Sequence, residues 1–199
     1  VGPMRIWLKL FIDFLIIYIM FSQFFVPIFL HNCIMEEIKQ LYMNSTEIEG
    51  RYSKKINESI STFKRPADIE IPRFRILKTE IPYACYLIDH DFIMISSCLV
   101  EELPKEELGA VIAHEIEHVR EVYRKRGLKD DRPEWKVDVG ATRLVEKKHM
   151  ISAISSVTSK TSEYIRKKHR VICVLFPFSV MDIENANLNR LEKIRNNNP

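Results

Sequence analysis

Residues 103–118 read Leu103-Pro104-Lys105-Glu106-Glu107-Leu108-Gly109-Ala110-Val111-Ile112-Ala113-His114-Glu115-Ile116-Glu117-His118, followed by Val119-Arg120-Glu121-Val122-Tyr123. Leu108, Ile112, Ile116, Val119 and Tyr123 recur at helical spacing, so the stretch predicts an amphipathic helix with one buried face. Pro104 suits a first turn, and Glu106 and Glu107 sit near the positive end of the helix dipole. Lys125, Arg126 and Gly127 supply stop signals, ending the helix near Arg126. Within it His114 and His118 stand one turn apart on one face, so their ring nitrogens can converge on a single metal ion. Glu115, next to the first histidine, is placed to take a proton from water at that metal.

A catalytic metal needs a third protein ligand and one open position. A second helix is expected to start at Pro133, with Asp131 as capping candidate, after a loop at 127–132 long enough to reverse the chain. Glu134, in its first turn, is the best candidate for the third ligand. Asp138 shares the face of Glu134 and can accept the other ring proton of a ligand histidine, fixing its tautomer.

Outside this centre the composition narrows the alternatives. The 199 residues carry 30 Lys+Arg and 27 Asp+Glu, a net charge of +3 with the signs interspersed, so no electrostatic footprint for nucleic acid stands out and none is expected as a partner. Five glycines and nine prolines exclude a collagen-like or linker-like chain. Cys33, Cys85, Cys98 and Cys173 form no CxxC pair, which excludes a zinc ribbon or a thioredoxin-type redox motif. They read as small buried residues or free thiols.

Between Ile6 and Leu30 nearly every position is apolar, and 14–30 carries no formal charge. A helix of this length covers a hydrocarbon core of about 30 Å, so one membrane-spanning helix is expected. Lys9 and Asp13, four apart, can neutralise each other near its entry. A secretory signal is the competing reading, but the run is longer than a typical apolar signal core and no small-x-small cleavage site follows. Arg5 and Lys9 on one side, against Lys39 among four acids in 31–50, tilt positive-inside counting toward a cytoplasmic N-terminus.

Apolar residues from Ile34 to Phe63 fall mostly three or four apart, predicting an amphipathic helix interrupted near Gly50 that lies on a bilayer or packs on the core. Three β-rich runs follow, at Arg73–Leu77, Tyr83–Ile88 and Phe92–Ile95, the last two a hairpin around Asp89-His90-Asp91. The edge of that hairpin can hold an extended peptide by backbone hydrogen bonds. The apolar run Val171–Val180, after the basic cluster Arg166–Arg170, is too short to span a bilayer and reads as a core or interfacial segment. The organisation expected is an anchor at 1–31, an amphipathic linker at 32–66 and a catalytic domain at 67–199 with its core at 71–150.

Ile81–Leu144 resembles the HtpX and CAAX prenyl-protease family of membrane-associated zinc metallopeptidases, a branch of the gluzincins. Pro82-Tyr83-Ala84-Cys85 stands where that family has an Asn-Ala-Phe-Ala strand, and Phe92–Leu99 where it has the second hairpin strand. Residues 103–113 resemble its lead-in to HExxH, and Glu134-Trp135-Lys136-Val137-Asp138-Val139-Gly140-Ala141 its Glu-x-x-Ala-Asp-x-x-Ala segment. The resemblance implies an α+β, mainly helical zincin-like core with a small antiparallel sheet or hairpin. It also implies one zinc ion held by His114, His118 and Glu134, with Glu115 as general base and acid. The expected activity is membrane-anchored cleavage of extended or unfolded polypeptides, with membrane-protein quality control as a setting. The alternative is a non-catalytic, zinc-stabilised membrane adaptor that binds peptides. Partners expected are a polypeptide substrate and a lipid bilayer. Two departures stand out. Glu117 replaces the glycine common before the second histidine, adding bulk and negative charge beside the metal. Only Phe176-Pro177 and the distant Arg190 resemble the family's His-Pro motif and downstream arginine; Arg190 is the candidate for stabilising a transition-state oxyanion.

Overall fold

The computed structural model describes residues 3–21, 25–43, 45–64, 66–125, 130–170 and 178–197, the side chains of 3–8 and 178–183 excepted. In chain order its elements are α1 Pro3–Met20, α2 Val26–Tyr42, β1 Thr46–Glu47, α3 Gly50–Ile60, β2 Arg73–Leu77, β3 Ala84–Leu87 and β4 Phe92–Ser96. Then come α4 Ser97–Glu102, α5 Lys105–Arg124, α6 Glu134–Ala141, α7 Lys147–Lys168 and α8 Phe178–Asn196.

Strand β4 is buried at every residue, and its two faces enter two different clusters. Ile93 and Ile95 join the main core with Ile112 and Ile116 of α5, Ile56 and Ile60 of α3, and Met150 and Ile154 of α7. Phe92 and Met94 join Ile38 of α2 with Leu77 and Ile81. The alternation of strand side chains therefore makes β4 the centre of three layers: α2, the sheet, and α5 with its helical neighbours. Burying an Ile or Leu side chain contributes about 1.5–3 kcal/mol, so Leu108, Ile112 and Ile116, all fully buried, are enough to pin α5 beneath the sheet. The α3–α5 crossing is close because Gly109 lacks a Cβ, which would sit 2.6 Å from Thr62 Oγ1 and 2.9 Å from the Ser59 carbonyl oxygen.

The sheet has four strands in the order β1-β2-β4-β3. The expected hairpin is present: β3 and β4 pair antiparallel from Ala84↔Ile95 to Leu87↔Phe92. The sheet as a whole is mixed rather than antiparallel, because β2 pairs parallel with β4, Arg73↔Phe92 through Leu77↔Ser96. The chain leaves β2, runs to the far edge to make β3, and returns between them as β4. That order leaves β3 as an edge strand beside α5.

Two expectations about the N-terminal third change. The amphipathic helix expected over 34–63 with an interruption near Gly50 is the end of α2, then a strand in the break, β1 paired antiparallel to β2, then α3, which starts at Gly50 with φ +57°. The pairing of Thr46 and Glu47 with the sheet interrupts the helical pattern. No helix among the described residues is long and apolar enough to cross a membrane. The expected membrane-spanning helix over Ile6–Leu30 is divided between α1 and α2, and Arg5, Lys9 and Asp13 all lie within α1. Val26 and Leu30 are buried against Ile165 of α7, and Tyr164 donates to Glu37 of α2 at 2.9 Å, so α2 is fastened to the folded body.

Helix α7 was not expected from the sequence, although Met150, Ala153 and Ile154 are buried along it. Phe176-Pro177 and most of the run Val171–Val180 lie outside the described residues.

Candidate metal centre and active-site cleft

Helix α5 presents His114, Glu115 and His118 toward β3 and the start of α6, on the side opposite its packing on α3. Of the residues expected as ligands, His114 Nε2 lies 3.1 Å from Glu134 Oε2 and 3.2 Å from His118 Nε2. One donor atom from each of the three lies within 4.8 Å of the others. Tetrahedral zinc with ligand bonds of about 2.0–2.1 Å has donor atoms roughly 3.3 Å apart, so the two close spacings fit such an ion. The cluster can hold a metal.

Each histidine is oriented through its other nitrogen. His114 Nδ1 lies 2.8 Å from Asp138 Oδ1, and His118 Nδ1 lies 2.9 Å from Asp130 Oδ2. An ionised carboxylate only accepts, so each Nδ1 carries a proton and each Nε2 is the nitrogen left to face the centre. The surrounding acids favour positive charge there. Burial opposes ionisation of His114, but its hydrogen bonds to Asp138 and Glu134 prevail and raise it to about 10. Contact with His114 lowers Glu134. Desolvation pushes Asp138 up, yet His114 and Arg190 together hold it below the usual carboxylate range.

Glu115 is only 7% exposed, and its Oε2 accepts from the Tyr86 backbone N–H at 2.9 Å. That bond comes from the outer edge of β3, so the strand that borders the cleft also positions the acid. Arg190 reaches the site from α8. Its Nε and Nη2 both donate to Asp138 at 2.9 Å, and Nη2 lies 3.8 Å from Glu134 Oε2. A cavity of about 480 Å³ runs from Tyr83, just before β3, and Tyr86 on it, over these groups, to Ala153, Ile154 and Val157 of α7. Cys85, in its wall, has its thiol raised to about 11 by burial. Cys33, Cys85 and Cys98 are free thiols.

The structure revises two sequence inferences. Glu117 does not sit beside the metal centre. It is 3% exposed and points away under α6, accepting from Arg120 and from Arg132 Nη1 at 3.1 Å. Gly140 makes the space, since a Cβ there would stand 2.6 Å from Glu117 Oε1. Asp131 does not cap α6, whose N-cap is Pro133 with no side-chain bond; it pairs with Lys125. Asp130 is the functional candidate that sequence reading missed. The available signal was an unfilled requirement: two ligand histidines need two partners for their second nitrogens, and only Asp138 had been assigned.

This arrangement defines a class, an HExxH helix with a third acidic donor and a buried general-base candidate at the edge of a sheet. Comparison agrees with it. The model of peptidase family M48 matches residues 49–124, bearing out the resemblance to the HtpX and CAAX prenyl-protease type. The match is to a family of peptidases. It covers α3 through α5 and stops before Glu134, Asp138 and Arg190, whose placement rests on the geometry. No curated protein and no solved structure matches the chain.

Proposed function

We propose that the chain is a membrane-associated zinc endopeptidase acting on extended or unfolded polypeptides. The observation that carries this is the convergence of His114 Nε2, His118 Nε2 and Glu134 at one point, with Glu115 held beside it by the edge strand. Two imidazoles and a carboxylate are the donor set of a hydrolytic zinc site with one position left open. Zinc, when bound, supplies a Lewis acid that polarises the scissile carbonyl and makes water a competent nucleophile at neutral pH.

The chain's own residues do the rest. Glu115 takes the proton from the attacking water and delivers it to the departing amine. The Tyr86 N–H fixes the carboxylate for that transfer. An extended substrate pairs with β3, whose outer edge faces the cleft, so recognition rests on strand accessibility. Asp130 and Asp138 hold the two histidines in the required tautomer. Arg190 holds Asp138 ionised and, at the cleft wall, is the candidate to stabilise the oxyanion.

Membrane association is supported by α1 and the start of α2. Leu10, Phe11, Phe14 and Ile17 of α1 are each 55–67% exposed, and Ile28 and Phe29 of α2 are also exposed. An exposed apolar surface of this extent belongs in contact with lipid or protein, and quality control of membrane proteins is the setting that follows. The test is cleavage of unfolded casein by zinc-loaded protein in detergent. Glu115→Gln is expected to lower the rate by about 10²–10⁴-fold with zinc content unchanged. A wild type that binds zinc and cuts no unfolded substrate overturns the enzyme reading in favour of a zinc-stabilised peptide-binding adaptor.

A further inference from the structure

We propose that Glu117 and Arg132 form a buttress that acts through Asp130 to hold His118 in its ligand orientation. The proposal rests on the reading above that His118 binds the metal, and names the residues that position it.

The two histidines are supported in different ways. Asp138, the partner of His114, sits on α6 and is fully buried; the helix itself places it. Asp130, the partner of His118, lies on the segment before α6, off any helix or strand. Its carboxylate is held by Arg132 instead. The Arg132 backbone N–H donates to Asp130 Oδ1 at 3.0 Å, Nε to Oδ1 at 3.0 Å and Nη2 to Oδ2 at 2.9 Å. With both oxygens held in this way, Asp130 Oδ2 also faces His118 Nδ1 at 2.9 Å.

Arg132 is fixed in turn from α5. Its Nη1 donates to Glu117 Oε1 at 3.1 Å and its Nη2 to the Glu117 carbonyl at 2.8 Å. Glu117 Oε2 accepts from Arg120, whose Nε is bound to Asp68 Oδ2 at 2.8 Å. A planar guanidinium with a fixed donor fork transmits orientation in a way a flexible ammonium cannot. The residue one place before His118 on α5 thus reaches under α6, grips the arginine that grips the aspartate, and the aspartate returns to His118. Gly140 admits Glu117 into this position. The buttress touches neither substrate nor reacting atoms, so Glu117, Arg132 and Asp130 are positioning residues.

The test uses the full chain in detergent, with cobalt(II) absorption bands reporting ligand geometry and zinc affinity measured by competition with a chelator. Circular dichroism of the metal-free proteins checks folding. Asp130→Asn is expected to weaken zinc binding about 10–100-fold. Arg132→Gln is expected to weaken it about tenfold, and both should shift the cobalt bands. Arg124→Gln, which removes an exposed cation paired to Glu121 in the same cluster, should change neither. Folded Arg132→Gln with wild-type affinity and spectrum overturns the buttress while leaving the metal centre intact. If Arg132→Gln fails to fold, Arg132→Lys keeps the charge and loses the fork, and an unchanged spectrum there overturns it equally. Wild-type protein that takes up no cobalt or zinc sinks both the buttress and the proposed function. Wild type that binds zinc without cleaving sinks only the enzyme reading.

Discussion

Helices α1 and α5 have nearly the same length, 18 and 20 residues, and opposite fates. Helix α1 is apolar apart from Arg5, Lys9 and Asp13, yet Phe11 and Phe14 are 61% and 67% exposed. Helix α5 carries Glu115, Glu117 and Glu121, and those acids are 7%, 3% and 4% exposed. Hydropathy alone would place the two helices the other way round. What decides burial is whether neighbouring elements answer the side chains. α5 is met by β3, α3, α6 and α7, and its acids find a backbone N–H and arginines. Among the described residues no layer covers the flank of α1 formed by Leu10, Phe11, Phe14 and Ile17.

The contrast can be broken at four points. The largest effect is expected on the apolar side of α5: Ile116→Ala should cost about 3–4 kcal/mol through lost burial and the cavity it leaves, read as a shift in the urea midpoint at constant slope. Next is Glu117→Ala, which leaves Arg120 and Arg132 facing each other without their shared acid; about 3 kcal/mol is expected. A comparable loss from Glu106→Ala, on the outer turn, would show that the buried network has no special weight.

A smaller effect comes from acid. Asp130 has its folded value lowered to about 2 from 3.8, so it contributes stability above pH 4 that is lost as pH falls through the folded value. About 2 kcal/mol should disappear between pH 4 and pH 2 in the metal-free protein, and Asp130→Asn should flatten that part of the curve. The smallest change in folding stability belongs to α1. Double replacement of Phe11 and Phe14 by Ser should alter the denaturation free energy by less than about 0.5 kcal/mol while releasing the protein from lipid vesicles in a flotation assay. Unchanged flotation would remove the membrane role from that surface.

The same contrast explains which parts were legible in the sequence. Local signals were enough for α5, for β2 and for the β3–β4 hairpin, because helical spacing, a proline at the entry and β-branched runs each act within a few residues. The His114/Glu115/His118 spacing was legible for the same reason, and Glu134 and Asp138 followed from a need for one more donor and one partner. Long-range choices were hidden. The parallel pairing of β2 with β4 depends on where β3 goes. Thr46 and Glu47 leave the helical pattern because a strand edge is waiting for them. Helix α7 is rich in Ser and Thr, which dilutes its apolar period, yet Met150 and Ile154 still enter the core.

Sequence alone determined the reactive inventory: two imidazoles one turn apart, an acid directly after the first, and an acid-bearing helix soon after. It could do so because helical geometry converts residue spacing directly into a shared face. Only tertiary packing decided that Asp130 serves His118 and that Glu117 turns away from the centre into a pocket left by Gly140. These are contacts between groups on separate segments, and their partners are chosen by how α5, α6 and the segment between them close together, which no local pattern encodes.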